Sequence, residues 1–130
     1  MSNWLVRQVF RMHSGRTSHF KIECDELTND EIDAFAMLIA EMMHPFGKVY
    51  GIPRGGMRIR EALLPYLQPM SERVLIVDDV LTTGRSMNEK RFELIGEGHR
   101  IDLIIGAVMF SRGPQPMWVD SVFNLHPRLT

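Results

Sequence analysis

The segment Val74–Ser86, VLIVDDVLTTGRS, sets two adjacent carboxylates, Asp78 and Asp79, behind an apolar run and follows them closely with Thr82-Thr83-Gly84-Arg85-Ser86. Ionised carboxylates are acceptors without a proton, suited to a cis-diol or, through water, to a hard cation such as Mg²⁺. The hydroxyls of Thr82, Thr83 and Ser86 can join backbone N–H groups converging at a helix start to hold a phosphate, and Gly84 permits close approach. A ribose 5-phosphate carries both a diol and a phosphate, so one molecule could satisfy both halves of the segment. A second candidate is Tyr50-Gly51-Ile52-Pro53-Arg54-Gly55-Gly56. There backbone amides and one guanidinium could wrap a dianion; the plainer reading of Arg54 is a surface loop arginine.

Both candidates need elements to position them. The spacing of Ile32, Phe35, Ala36, Ile39 and Met43 predicts a helix over Thr28–His44, with Thr28 and Glu31 as a capping box and Pro45-Phe46-Gly47 as its stop. Val49–Ile52 reads as a short buried strand, and Ile59, Ala62, Leu63, Tyr66 and Leu67 as a second helix that Pro65 kinks and Pro69 ends. Val74–Val77 is a continuous apolar run of the kind found in strands buried on both faces. A helix from Arg85 to about Glu97, a strand over Leu103–Phe110 and a last strand over Trp118–Phe123 complete the series. Ahead of these, Leu5–Met12 and Phe20–Cys24 are strand candidates. Helices alternating with strands imply an α/β fold, a mainly parallel sheet flanked by helices with right-handed crossovers. In such a sheet the ligand crevice lies at the carboxyl ends of the strands, where both candidate turns begin.

Composition narrows the function classes. The 130 residues are 45% apolar and 24% charged, ordinary for one soluble globular domain over residues 1–130. The formal net charge of −1 offers no basic face, so nucleic acid is not expected as a partner. Cys24 is the one cysteine and the five histidines fall in no zinc pattern, which points to a reducing compartment. The stretch MSNWLVRQVFRMHSGR mixes apolar residues with arginines, unlike a signal peptide, and no run approaches the ~18 apolar residues of a membrane span. A cytoplasmic protein without membrane spans is the expectation.

Val74–Ser86 resembles, along its whole length, the signature with which type I phosphoribosyltransferases bind phosphoribosyl pyrophosphate (PRPP). By position the resemblance implies that Asp78 and Asp79 meet the ribose hydroxyls, and that Val80 and Thr82 to Ser86 serve the 5-phosphate. Gly51–Gly56 is similar to the family's pyrophosphate loop, which often has an unusual backbone geometry; Pro53, Arg54, Gly55 and Gly56 would then face pyrophosphate. Met12–Phe20 is similar to a segment of orotate phosphoribosyltransferases that belongs to the hood over the base. It implies Phe20 on the base and Arg16 or Lys21 at pyrophosphate or the orotate carboxylate; for Phe20, core packing is an equal reading.

The resemblance implies a hood segment at residues 1–27, a core at 28–110 and a C-terminal strand with loops at 111–130. It implies a Mg²⁺-dependent pentosyltransferase that moves ribose 5-phosphate from PRPP to a nucleobase, orotate first, with Asp78, Asp79 and Arg54 as the catalytic set and a homodimer as the assembly. The chain departs from the family between the two motifs. Family enzymes usually carry a further strand and a long flexible lid there, and this sequence has only Leu67–Arg73. A non-catalytic PRPP- or nucleotide-binding module on the same fold is therefore the alternative. A receiver domain fits poorly, because its acidic pair follows the first strand and it has no use for Thr-Thr-Gly-Arg-Ser. Arg112 and Trp118 are candidates for a base pocket or a dimer surface, and Met37, Met42, Met43, Met57 and Met87 read as core filler.

Overall fold

The structure, a computed structural model, describes residues 24–125. The chain runs α1 (Asn29–Met43), β1 (Lys48–Gly51), α2 (Gly56–Leu63), a 3-10 turn (Leu64–Tyr66), β2 (Val74–Leu81), α3 (Arg85–Gly96), a second 3-10 turn (Ile101–Leu103), β3 (Ile104–Ser111) and β4 (Val119–Asn124). Element types and order follow the apolar periodicity, and most ends are displaced by a residue or two; β2, read as Val74–Val77, runs four residues further to Leu81, so Asp78 and Asp79 belong to the strand and not to the turn after it. Pro65 tightens the end of the second helix into the 3-10 turn, since a proline has no N–H for the helical ladder. Cys24 is buried, but Cys24 and Asp25 are helical rather than extended. The remainder of the Phe20–Cys24 candidate, and Leu5–Met12, lie outside the described residues.

Helix α1 starts where predicted, because its first N–H groups find side-chain acceptors. Thr28 Oγ1 accepts from the Glu31 N–H at 3.2 Å, and Glu31 Oε1 accepts from the Thr28 N–H at 2.7 Å. His44 is extended at the other end, as a residue before proline prefers. Ile32, Phe35, Ala36, Ile39 and Met43 are all buried. Of the methionines read as core filler, Met43 and Met87 are buried, whereas Met37, Met42 and Met57 are substantially exposed. Those three sit on the outward sides of amphipathic helices, where a flexible apolar side chain is tolerated.

Among the described residues the sheet is four-stranded and all parallel, in the order β1-β2-β3-β4. Alternation along β2 divides the core between its faces. Leu75 and Val77 pack with α1 and α2, and Val74 and Ile76 pack with Met87 and Leu94 of α3. Phe35 meets Phe110 edge-on at 5.2 Å, and Phe110 stacks with Phe123 at 6.0 Å between ring centroids.

This arrangement corrects the expectation that every crossover is right-handed. Each connection steps one strand in the same direction across the sheet. The link from β1 to β2 travels over one face through α2, while the links from β2 to β3 and from β3 to β4 travel over the other through α3 and Trp118. The β1-α2-β2 connection therefore has the opposite hand to the two that follow it. Leu67–Arg73 adds no further strand, and the chain leaving α2 returns directly beside β1.

Candidate functional site

Both turns singled out in the sequence leave the carboxyl ends of neighbouring strands. Gly51 of β1 is in register with Val77 of β2, and the Ile52 N–H donates to the Val77 carbonyl at 2.9 Å. The loop after β1 thus begins level with the acidic pair. It folds back on itself through Gly56 N–H to Ile52 O at 2.8 Å and Met57 N–H to Arg54 O at 3.1 Å, which opens α2. The Pro53–Arg54 peptide bond is cis. Pro53 and Arg54 are exposed, while Gly55 and Gly56 turn inward.

Glycine is required at both inward positions by close approach. A Cβ on Gly55 would overlap the Asp79 carboxylate, and one on Gly56 would stand 2.7 Å from the Val77 carbonyl oxygen and 3.1 Å from Asp78 Cα. The two motifs, more than twenty residues apart in sequence, therefore share one wall.

Asp78 and Asp79 are only 5% and 2% exposed, a level carboxylates rarely reach unless paired or in use. Each is held by a local bond: Asp78 Oδ1 accepts from the Asp79 N–H at 2.8 Å and Asp79 Oδ1 from the Val80 N–H at 2.7 Å. These bonds fix the orientation of both carboxylates against the backbone. Interior placement in β2 follows from the strand itself, buried along all eight residues.

The phosphate-type turn comes next. Gly84 has φ of 80°, a left-handed conformation that suits glycine, and it stands immediately before Arg85, the first residue of α3. Thr83 Oγ1 accepts from the Arg85 N–H at 3.2 Å. Thr82, Thr83, Arg85 and Ser86 are exposed, and Arg85 forms an exposed pair with Glu89 at 2.9 Å. Asp78, Val80 and Leu81 line one pocket of about 60 Å³ together with Thr82 to Met87. A larger groove of about 330 Å³ lies between α1 and α2, lined by Asn29, Ile32, Asp33, Arg58, Glu61 and Ala62, and includes none of the motif residues.

Among the described residues no three of His, Cys, Asp and Glu gather as a metal-ligand group. The donor set is the adjacent carboxylates of Asp78 and Asp79. It fits a Mg²⁺ that keeps waters and shares substrate oxygens, the usual habit of that ion, rather than a caged metal.

Solved structures identify the architecture. An orotate phosphoribosyltransferase from Aeropyrum pernix matches over 75% of this chain and 73% of its own, with a TM-score of 0.62 at 21% identity. The chain has the type I phosphoribosyltransferase fold. Hypoxanthine phosphoribosyltransferase from Trypanosoma cruzi, with the product IMP, shares the phosphoribosyltransferase fold over 77% of this chain and 74% of its own (TM-score 0.51, 15% identity). The xanthine-guanine-hypoxanthine enzyme of Helicobacter pylori does so over 72% and 88% (TM-score 0.50, 15% identity). No protein-family model and no curated protein matches the sequence.

On this phosphoribosyltransferase fold the short connection proves to be at the wrong end for a lid. Gly47 N–H donates to the Arg73 carbonyl and Gln68 N–H to the Phe46 carbonyl, both at 2.8 Å. A Cβ on Gly47 would overlap the Ser71 carbonyl oxygen. These contacts tie Leu67–Arg73 to the amino ends of β1 and β2. With a rise of roughly 3.3 Å per residue, Val74 is about 23 Å from Leu81, where the phosphate-type turn begins. Arg16, Phe20 and Lys21 lie outside the described residues.

Trp118 is half-buried against the core on the α3 face and does not line the Asp78–Met87 pocket. Its ring covers Gly106, its Nε1–H donates to Asn88 Oδ1 at 3.1 Å, and the Arg91 guanidinium stands 4.9 Å above it. The loop that ends at Trp118 runs behind the phosphate-type turn, a juxtaposition the sequence reading missed. The only local signal was the turn composition Gly113-Pro114-Gln115-Pro116.

Proposed function

We propose that this protein is a phosphoribosyltransferase that uses PRPP, with orotate as the first candidate base. One observation carries the reading. Asp78 lines the same pocket as Thr82–Ser86, while the Pro53–Gly56 loop packs against Asp79. A diol acceptor, a phosphate cradle and an anion loop thus converge at neighbouring strand ends, matching the three parts of PRPP.

In this reading the 5-phosphate enters the Thr82–Ser86 turn, where backbone N–H groups and hydroxyls replace its water. Asp78 and Asp79 accept the ribose hydroxyls and hold the ring as positive charge grows at C1. Arg54 meets the pyrophosphate, which departs with the electron pair of the C1–O bond as a base nitrogen supplies the pair for the new C1–N bond. No covalent enzyme intermediate is needed, because orientation and charge stabilisation do the work. Mg²⁺, held through water by Asp78 and Asp79, would neutralise charge on the pyrophosphate oxygens. A cytoplasmic location and a homodimer belong to the same proposal; sedimentation analysis tests the latter.

The test is pyrophosphate release from PRPP and Mg²⁺ with orotate, uracil, adenine, guanine, hypoxanthine and nicotinate in turn. One base should support turnover, and the double variant Asp78→Asn, Asp79→Asn should abolish it; full activity in that variant would sink the reading. A second reading, a PRPP- or nucleotide-binding module without turnover, is favoured by the pinned Leu67–Arg73 connection, since a site without closure exposes the reacting centre to water. Calorimetric PRPP binding with no product from any base would select it.

A further inference from the structure

The turn that holds the phosphate in the preceding reading is contacted from behind by the β3–β4 loop, residues 112–118. Parallel neighbours usually need a dozen or more residues to connect, and these seven cross close to the sheet. The loop is tied down along its length. The Arg112 N–H donates to the Leu81 carbonyl at 2.8 Å, and the buried Ser111 Oγ donates to the Gly113 carbonyl at 3.0 Å. Gln115 Nε2 donates to the Val119 carbonyl at 2.9 Å, and its Oε1 accepts from Ser121 Oγ at 2.8 Å.

So anchored, the loop touches the backbone of the turn at two points. Gly113 lies so close that a Cβ there would overlap the Thr82 carbonyl oxygen and stand 3.1 Å from its carbon. A Cβ on Gly84 would stand 3.3 Å from Pro116 Cγ. Thr82 and Gly84 are the residues whose backbone sets the direction of the N–H groups entering α3. Asp79, in the diol part of the site, is backed instead by Gly55.

We propose that Gly113, with Pro116 and the Gln115 tether, positions the Thr82–Gly84 backbone for phosphate, so that the β3–β4 loop sets affinity for the phosphorylated sugar rather than contacting it. The inference rests on the phosphoribosyl reading of the site. A turn held in its bound shape loses less freedom on binding, and displacement of about 1 Å in such a cradle can cost up to ~100-fold.

Titration calorimetry of the full chain with PRPP and Mg²⁺, and separately with inorganic phosphate, tests this in wild type, Gly113→Ala and Gln115→Ala. Gly113→Ala should weaken PRPP at least about tenfold, and Gln115→Ala by roughly threefold, through lost preorganisation. Where turnover is present, the KM for PRPP should rise with the KM for the base unchanged and kcat at saturating PRPP retained, a split that general loss of structure would not produce. Wild-type PRPP affinity in both variants overturns the inference. If Gly113→Ala does not fold, Gln115→Ala decides: wild-type affinity overturns it and a selective loss for PRPP supports it. A wild-type protein that binds neither PRPP nor inorganic phosphate defeats the phosphoribosyl reading itself, and the inference with it.

Discussion

At the residue scale, the contact between Gly55 and Asp79 joins two motifs that are each incomplete alone. Gly55→Ala would drive a methyl group into a buried carboxylate, so either the loop or the acid must move. The expected outcome is a loss of about 1–3 kcal/mol in urea unfolding, in line with overpacking, and PRPP binding weakened beyond what that stability loss explains. Ion pairs on the surface should matter far less. Arg100 and Asp102 meet at 2.7 Å with 71% and 58% of their side chains exposed. Asp102→Ala should therefore leave the urea midpoint nearly unchanged, a shift within ~0.5 kcal/mol. Arg54, Thr82, Thr83 and Ser86 were legible as candidates because few roles other than anion binding place hydroxyls, glycine and arginine at strand ends. The support from Gly113 was not, because it depends on a backbone approach between residues about thirty positions apart.

At the element scale, local signals were sufficient where the chain satisfies itself locally. The Thr28–Glu31 box marks the start of α1 because both of its bonds are made within three residues. Thr28→Ala should cost about 1 kcal/mol in chemical unfolding. Phe35, fully buried against Phe110 and Phe123, joins that helix to β3 and β4. Its replacement by alanine should cost about 3–5 kcal/mol by the same measurement. The strand character of β2 was equally plain from its unbroken apolar run. The turn of β3 into β4 was not, since a seven-residue parallel connection carries no helical pattern and its return is set by Trp118 covering Gly106.

At the scale of the whole molecule, the candidate site and the α2–β2 connection occupy opposite ends of the sheet. The carboxyl ends bear the acidic pair and both candidate turns, while Gly47 and Ser71 pack at the amino ends. Gly47→Ala should lower the thermal midpoint yet leave PRPP affinity at the wild-type value, because its overlap with the Ser71 carbonyl lies about 20 Å from the phosphate-type turn. Loss of PRPP affinity on that substitution would mean that the connection does reach the site.

By itself the sequence determined the α/β alternation and the capping of α1, and it singled out the acidic pair and the hydroxyl-glycine turn as candidates, because periodicity, caps and turn chemistry act between residues a few positions apart. The tertiary structure alone decided that Gly55 backs Asp79, that Gly113 backs Thr82, that one crossover has the opposite hand and that Leu67–Arg73 lies away from the site. These are outcomes of how strands order and which face each connection covers, and they depend on the packing of the whole sheet rather than on any local run of residues.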